Sequence, residues 1–327
     1  MRNPRSFIGT QPPRGGVVPL QSQFDMQQAA TWPGVGAPVS TSNPWVRCSD
    51  WLTLSAPADG TFYGLKAITL DDGNYAAVNC TTSSGTYHVD WGDGNTSDVA
   101  SGSVAQHWYD PSTISAGTLS VRGYKQVIVT ITANTGSLTG INLQAKNTTS
   151  GLNAYETGWL DIAVSATALT SLTIGANSLT VRVGMLENVT LVNNAITSMG
   201  YLFANCLKLG NVSLNTAPCT SMYWMFYGCS SLASVPLFVT SNAGNTSSSF
   251  TSMFANCPSL AGGALSGTQY AISYSGCKLS EAGIVAIFNN LGTASGSQTI
   301  TVSGNYGYAA LTTGDKAIAT GKGWTIA

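Results

Sequence analysis

Few side chains in this sequence could carry acid–base chemistry. Its 327 residues hold two histidines, His88 and His107, and 14 acidic groups. Between Asp161 and Glu281 the only acid is Glu187. The second half therefore lacks the two carboxylates that must flank a glycosidic bond for its hydrolysis. No G-x-S-x-G, P-loop or G-x-G-x-x-G segment occurs. Asp59, Asp71, Asp72, Asp90, Asp93, Asp98 and Asp110 fall mostly where turns are expected. Asp90 and Asp93 could face a cation together, but two carboxylates fall short of the six to eight oxygens that calcium takes. The cysteines are not spaced as C-x-x-C, so no metal ligand set is expected. These residues predict no catalytic group, no metal and no cofactor.

Binding is the better-founded chemistry. Tyr201, Tyr223, Trp224 and Tyr227 lie close together, and the run Tyr-Trp-Met-Phe-Tyr at 223–227 holds more aromatics than one buried face accommodates. Aromatic side chains that reach the surface anchor interfaces. A glycan or a protein on a host surface is the kind of partner they would take.

The element that must position these aromatics is a repeat. Phe203-Ala-Asn-Cys206-Leu-Lys-Leu209, Phe226-Tyr-Gly-Cys229-Ser-Ser-Leu232 and Phe254-Ala-Asn-Cys257-Pro-Ser-Leu260 each read F-x-x-C-x-x-L. Each has a methionine upstream (Met199, Met222, Met253), and a degenerate fourth copy surrounds Cys277. The short runs Val189–Leu191, Val212–Leu214 and Val235–Leu237 recur every 23 residues. A period of about 20–29 residues with one short strand per unit marks a leucine-rich solenoid, whose units bury their apolar faces only by stacking. Cys206, Cys229 and Cys257 occupy equivalent positions, so reduced, buried, stacked cysteines are expected in place of disulfides.

The rest of the chain divides around this array. Residues 1–45 contain seven prolines, which hold the backbone extended, with apolar anchors Phe7, Ile8, Phe24 and Trp32 spread between them. This pattern suits an arm that docks on another surface. Residues 46–150 read as short strands separated by Gly- and Asp-rich turns, the signature of a β-sandwich; the expected strands are 51–54, 65–70, 75–80, 87–91, 119–121 and 127–132. The repeats occupy 151–278. Residues 279–327 close the array with a helix starting at the N-cap Ser280 and stopping at Gly292, a strand at 299–302, a second helix near 315–320 and a last strand at 324–326. The fold class expected is mainly β: an extended arm, a sandwich, a short solenoid and an α/β cap.

Two segments carry resemblances. Tyr87-His-Val-Asp-Trp91-Gly-Asp93-Gly94, then His107-Trp-Tyr109 and Gly123 to Ile131, resembles a PKD domain, an immunoglobulin-like sandwich with a WGDG turn and an H-x-Y strand. In that likeness Trp91 fills the core, while Asp93 and Gly94 close a turn whose positive φ suits glycine. The F-x-x-C-x-x-L copies and the tail Ile318 to Ile326 resemble BspA-type leucine-rich repeats. From about residue 60 onward, with Trp159-Leu-Asp-Ile162 as the link, the arrangement is similar to a family of phage and prophage virion proteins. That resemblance implies a capsid decoration protein or fibre, or a tail-associated fibre. It would sit on the particle surface, be bound to other virion proteins through the arm, and form a homo-oligomer. A bacterial surface adhesin is the other class that the repeats suggest.

Composition fits a neutral, turn-dense exterior. Charged residues make up 8% of the chain, against about 25% in ordinary soluble domains. With a net charge of −1, there is no electrostatic footprint for nucleic acid. No run approaches the roughly 18 apolar residues of a membrane span, so no insertion is expected.

Overall fold

Alternation of buried and less buried side chains is visible in several strands, interior ones included, while the strand Trp159–Ser165 is buried along its whole length. The computed structural model describes residues 45–69, 74–152, 154–175, 181–240, 249–263 and 265–327. The arm anchors Phe7, Ile8, Phe24 and Trp32, and the end of the expected strand 65–70, lie outside these residues.

The described chain is mainly β. The first seven strands are β1 (Thr61–Ile68), β2 (Tyr75–Thr82), β3 (Thr86–Asp90), β4 (Thr96–Ala100), β5 (Val104–Trp108), β6 (Lys125–Ala133) and β7 (Leu138–Asn142). Next come β8 (Tyr155–Glu156), β9 (Trp159–Ser165), β10 (Ser171–Thr173), β11 (Val181–Arg182), β12 (Asn188–Leu191) and β13 (Asn211–Leu214). The largest sheet runs β13-β12-β9-β1-β6-β3-β4, and a second runs β10-β7-β2-β5. Pairing is antiparallel from β9 through to β4 and parallel in β9-β12-β13. The second sheet makes the same change of sense, since β10 lies parallel to β7.

Both sheets thus run across residue 150 without a break, and one apolar core extends from Phe62 and Trp91 through Phe203 and Phe226 to Trp324. Trp159 is fully buried at this passage. Its ring lies so close over Gly64 that a Cβ there would stand 2.5 Å from Cζ3. Only glycine lets β1 and β9 approach with the indole between them.

Beyond β13 the parallel ladder is interrupted. The expected strand Val235–Leu237 is not formed. Pro236 has no N–H to donate to a ladder, and pairing moves on to β14 (Phe238–Val239) with β15 (Leu265–Ser266). A third parallel set joins β16 (Ile272–Ser273), β17 (Gln298–Thr301) and β18 (Trp324–Ile326). Two other expected strands are also absent. Residues 51–54 pair with no strand, and 119–121 follow a short 3-10 turn at Ala116–Thr118. In the first case side chains hold the backbone; in the second, Leu119 and Val121 are exposed and face no core.

Two helices finish the chain. α1 (Glu281–Asn290) is capped by Ser280, whose Oγ accepts from the Gly283 N–H, and it buries Ile284, Ile287 and Phe288. Its C-cap is Leu291, one residue before the expected glycine. Lys322 Nζ donates to the carbonyls of Phe288, Asn289 and Leu291, satisfying the acceptors that a helix end leaves open. α2 (Thr313–Thr320) starts with a capping box between Thr312 and Asp315.

Candidate functional site

The WGDG turn builds a closed polar knot. Gly94 has φ 93°, and the Asp93 carboxylate accepts from the Asn95 N–H. Its other oxygen lies 2.7 Å from His107 Nε2. The His107 ring stacks on Trp91 at 5.1 Å and meets Tyr109 edge-on at 4.5 Å. Tyr109 Oη in turn donates to the Trp91 carbonyl. Burial acts to raise the Asp93 pKa, but hydrogen bonds from His107 and Asn95 outweigh it and hold the carboxyl below its ordinary value. Asp90 is engaged separately, accepting from the Gly92 N–H. The two carboxylates therefore bind different partners. Among the described residues no group of three or more His, Cys, Asp or Glu is placed to hold a metal.

The root of the N-terminal segment forms a clamp that spacing alone does not reveal. Trp45 Nε1 donates to Glu187, and the Arg47 guanidinium donates to Asp161 at 2.8 Å and to the carbonyls of Trp51 and Leu52. Trp51 Nε1 reaches Tyr124 Oη, Gln126 bonds both ways to this strap, and Arg122 pairs with Glu187. Residues 45–52 are thereby tied to β6 and the turn before it, and also to β9 and the start of β12. Trp51 shares a small apolar cluster with Leu65, Ala67, Tyr124 and Leu160 on the outer face of the large sheet. From Asp161 a side-chain ladder continues along one register, with Asn188 donating to Asp161 and Asn211 donating to Asn188, each at 2.7 Å.

The repeat turns stack through matched positions. Phe203 and Phe226 are 5.4 Å apart, Phe226 and Phe254 5.7 Å, and Phe254 and Tyr274 5.0 Å, with interplanar angles of 23° or less. Tyr274 fills the phenylalanine place in the degenerate fourth copy. Beside this column, Cys229 Sγ donates to the Phe203 carbonyl at 3.1 Å and Cys257 Sγ to that of Phe226 at 3.0 Å. Cys206, Cys229, Cys257 and Cys277 are all free and buried. Burial pushes the Cys257 thiol up to about 12, and Cys229 and Cys206 rise as well. The role of cysteine is thus more specific than that of a small hydrophobe: it is a weak donor that reaches the carbonyl of the preceding turn. Phe250, not Met253, takes the place of Met199 and Met222, because the third turn shifts its methionine to the position of Met225.

The four aromatics singled out above do come together. Tyr201 meets Tyr223 edge-on at 5.2 Å and stacks on Trp224 at 5.7 Å, and Trp224 lies 4.4 Å from Tyr227. Tyr201 and Trp224 have φ of 60° and 55° at matched turn positions, and Ser252 has 52° at the same place in the third turn, so this left-handed conformation, uncommon for bulky side chains, belongs to the turn that carries them. Tyr223 lies over Gly200, where a Cβ would stand 2.3 Å from its ring. The third turn carries Thr251, Ser252 and Ala255 where the second has Tyr223, Trp224 and Tyr227. Small residues therefore flank a cluster of rings on both sides. Tyr223 is 37% exposed, while Tyr201, Trp224 and Tyr227 are partly so.

One buried cation stands apart. Lys66, on β1, is 1% exposed. Its Nζ donates to the Thr157 carbonyl and lies 5.5 Å from the Tyr109 ring centre. Desolvation lowers its pKa to about 8 against the opposing pull of Glu156. Glu156 is raised by its own burial and accepts from the Gly158 and Gly184 N–H groups. Both side chains line a pocket of about 230 Å³ with Tyr155 and Met185. Each has a backbone partner, so the pair pins β1 to the segment leading into β9. Comparison with protein families, curated proteins and solved structures gave no match for this chain.

Proposed function

We propose that the chain is a non-enzymatic structural component of a bacteriophage particle, a head decoration protein or fibre, or a tail-associated fibre. In this reading residues 1–45 dock on other virion proteins. An immunoglobulin-like sandwich (46–150) and a short leucine-rich solenoid (151–278) with its cap (279–327) project from the particle. The observation that carries it is the clamp at residues 45–52 on a sheet continuous from β4 to β13. A pull on the N-terminal segment would be spread over several strands through Arg47, Trp45 and Trp51, as an anchored projection requires. The resemblance of the WGDG segment and the repeats to phage virion proteins supplies the setting.

The test is deletion of residues 1–44, which keeps the clamp intact. The truncated protein should fold with unchanged stability and fail to join particles that lack the native protein. Normal occupancy by the truncated chain would place attachment elsewhere and overturn the docking role.

A further inference from the structure

We infer that the ring cluster of Tyr201, Tyr223, Trp224 and Tyr227 is a binding site for neutral oligosaccharides. This rests on the reading of the repeat segment as the part that projects outward. Three features select the ligand. First, the second turn supplies three of the four rings, while Gly200 and Ala204 precede them and Thr251, Ser252 and Ala255 follow at matched positions. The rings therefore stand above their neighbours instead of completing a column like that of Phe203, Phe226 and Phe254.

Second, the surroundings carry little charge. From residue 162 to 280 the only ionisable acid or base groups besides cysteine and tyrosine are Arg182, Glu187, Lys208 and Lys278, and Glu187 is paired with Arg122 and Trp45. A basic protein surface would find no acidic complement; Lys208 and Lys278 lie beside the groove-lining Leu207 and Gly276, and a charged control tests what they add. Third, Gly228, next to Tyr227 in the chain, lines a groove of about 460 Å³ with Leu207, Ser230, Asn256, Pro258 and Ser275. The groove crosses successive turns and offers hydroxyls, an amide and two apolar side chains. Apolar walls with a few polar groups that fix orientation are what a small-ligand site provides. A pyranose presents the matching surface: C–H faces for the rings and uncharged hydroxyls for Ser, Thr and Asn.

The full chain should be titrated with maltohexaose, cellohexaose and chitohexaose, with a hyaluronan hexasaccharide as the charged control, by calorimetry and by tryptophan fluorescence. At least one neutral hexasaccharide should bind, with an affinity that changes less than twofold between 50 and 500 mM salt. Trp224→Ala and Tyr223→Ala should each weaken it at least tenfold. Tyr223 is the more exposed, so its variant keeps the test valid if Trp224→Ala fails to fold; unchanged thermal melting certifies either one. No binding of any neutral probe at 10 mM, a preference for hyaluronan, or full affinity in a folded Tyr223→Ala variant would each overturn the assignment. Occupancy of both variants on particles separates this failure from failure of the virion reading: it should stay normal whether or not sugars bind.

Discussion

Replacing Trp91 with alanine should destabilise everything from the clamp to the C-terminal helices, not the first two sheets alone. The indole is 1% exposed, donates from Nε1 to Ser97 Oγ at 2.9 Å, and carries the His107 ring on its face. Truncating a buried aromatic to alanine costs about 3–5 kcal/mol, because a cavity remains where the ring was. In a body of this size, about 2–4 °C of melting temperature follows each kcal/mol, giving a fall of roughly 6–20 °C. Local probes decide whether the loss is shared. Cys80 lies in β2, Cys229 and Cys257 lie in the repeat turns, and all are buried. Thiol labelling during a temperature ramp, read by peptide mass spectrometry, reports the two regions independently. The wild-type protein should label Cys80, Cys229 and Cys257 at one midpoint, and Trp91→Ala should move all three together. A fall at Cys80 with Cys229 and Cys257 unmoved would show that the joint at Trp159 and Gly64 does not couple the regions.

Three further outcomes are expected. Cys229→Ser should cost only about 1–2 kcal/mol in urea unfolding, since the hydroxyl inherits the Phe203 carbonyl as partner and pays chiefly for its own desolvation; rapid labelling of native Cys229 would contradict the buried stack. For Lys66, a folded pKa of about 8 lies below the unfolded value of 10.5, so the unfolded chain binds more protons between them and stability should rise with pH across that window. Lys66→Met should abolish this rise, and an unchanged pH profile would refute the buried cation. Asp93, held below 3.8 when folded, contributes stability above that value that is lost as pH falls through the folded pKa. Asp93→Ala should cost about 1–3 kcal/mol at neutral pH and lose this acid-induced step, as followed by circular dichroism.

Legibility from sequence differed by element and for physical reasons. The first C-terminal helix and the last strand were readable because Ser280 and Trp324 carry their signals within a few residues, while the second helix begins at Thr313, two residues before the expected 315. The repeat positions were readable because identical side chains recur, and those residues do stack. What spacing could not convey is where pairing stops: Pro236 breaks the ladder inside a run that otherwise matches its predecessors. The strand at 51–54 looked apolar enough for a sheet, yet Arg47 and Gln126 take its backbone groups, and the Gln126 contact, 74 residues away in sequence, leaves no local trace. β4 was missed because Thr96–Ala100 is a mostly polar edge strand, and β7 because Leu138–Asn142 is short, polar at two positions and interrupted by Gly140. Phe250 shows the same limit in the repeats, since a shift of a few positions exchanges methionine for phenylalanine without changing the buried face. The clamp was invisible because Trp45, Arg47, Asp161 and Glu187 meet only after the sheets have formed.

The central claim, a particle-bound projection anchored by its N-terminal arm, is tested most directly by high-resolution electron microscopy of purified phage particles carrying this protein. The account predicts density for residues 45–327 standing off the particle surface, with Phe7, Ile8, Phe24 and Trp32 seated against neighbouring virion subunits. Particles without this density, or with the chain attached through its repeats or cap and residues 1–45 free of contact, would contradict it.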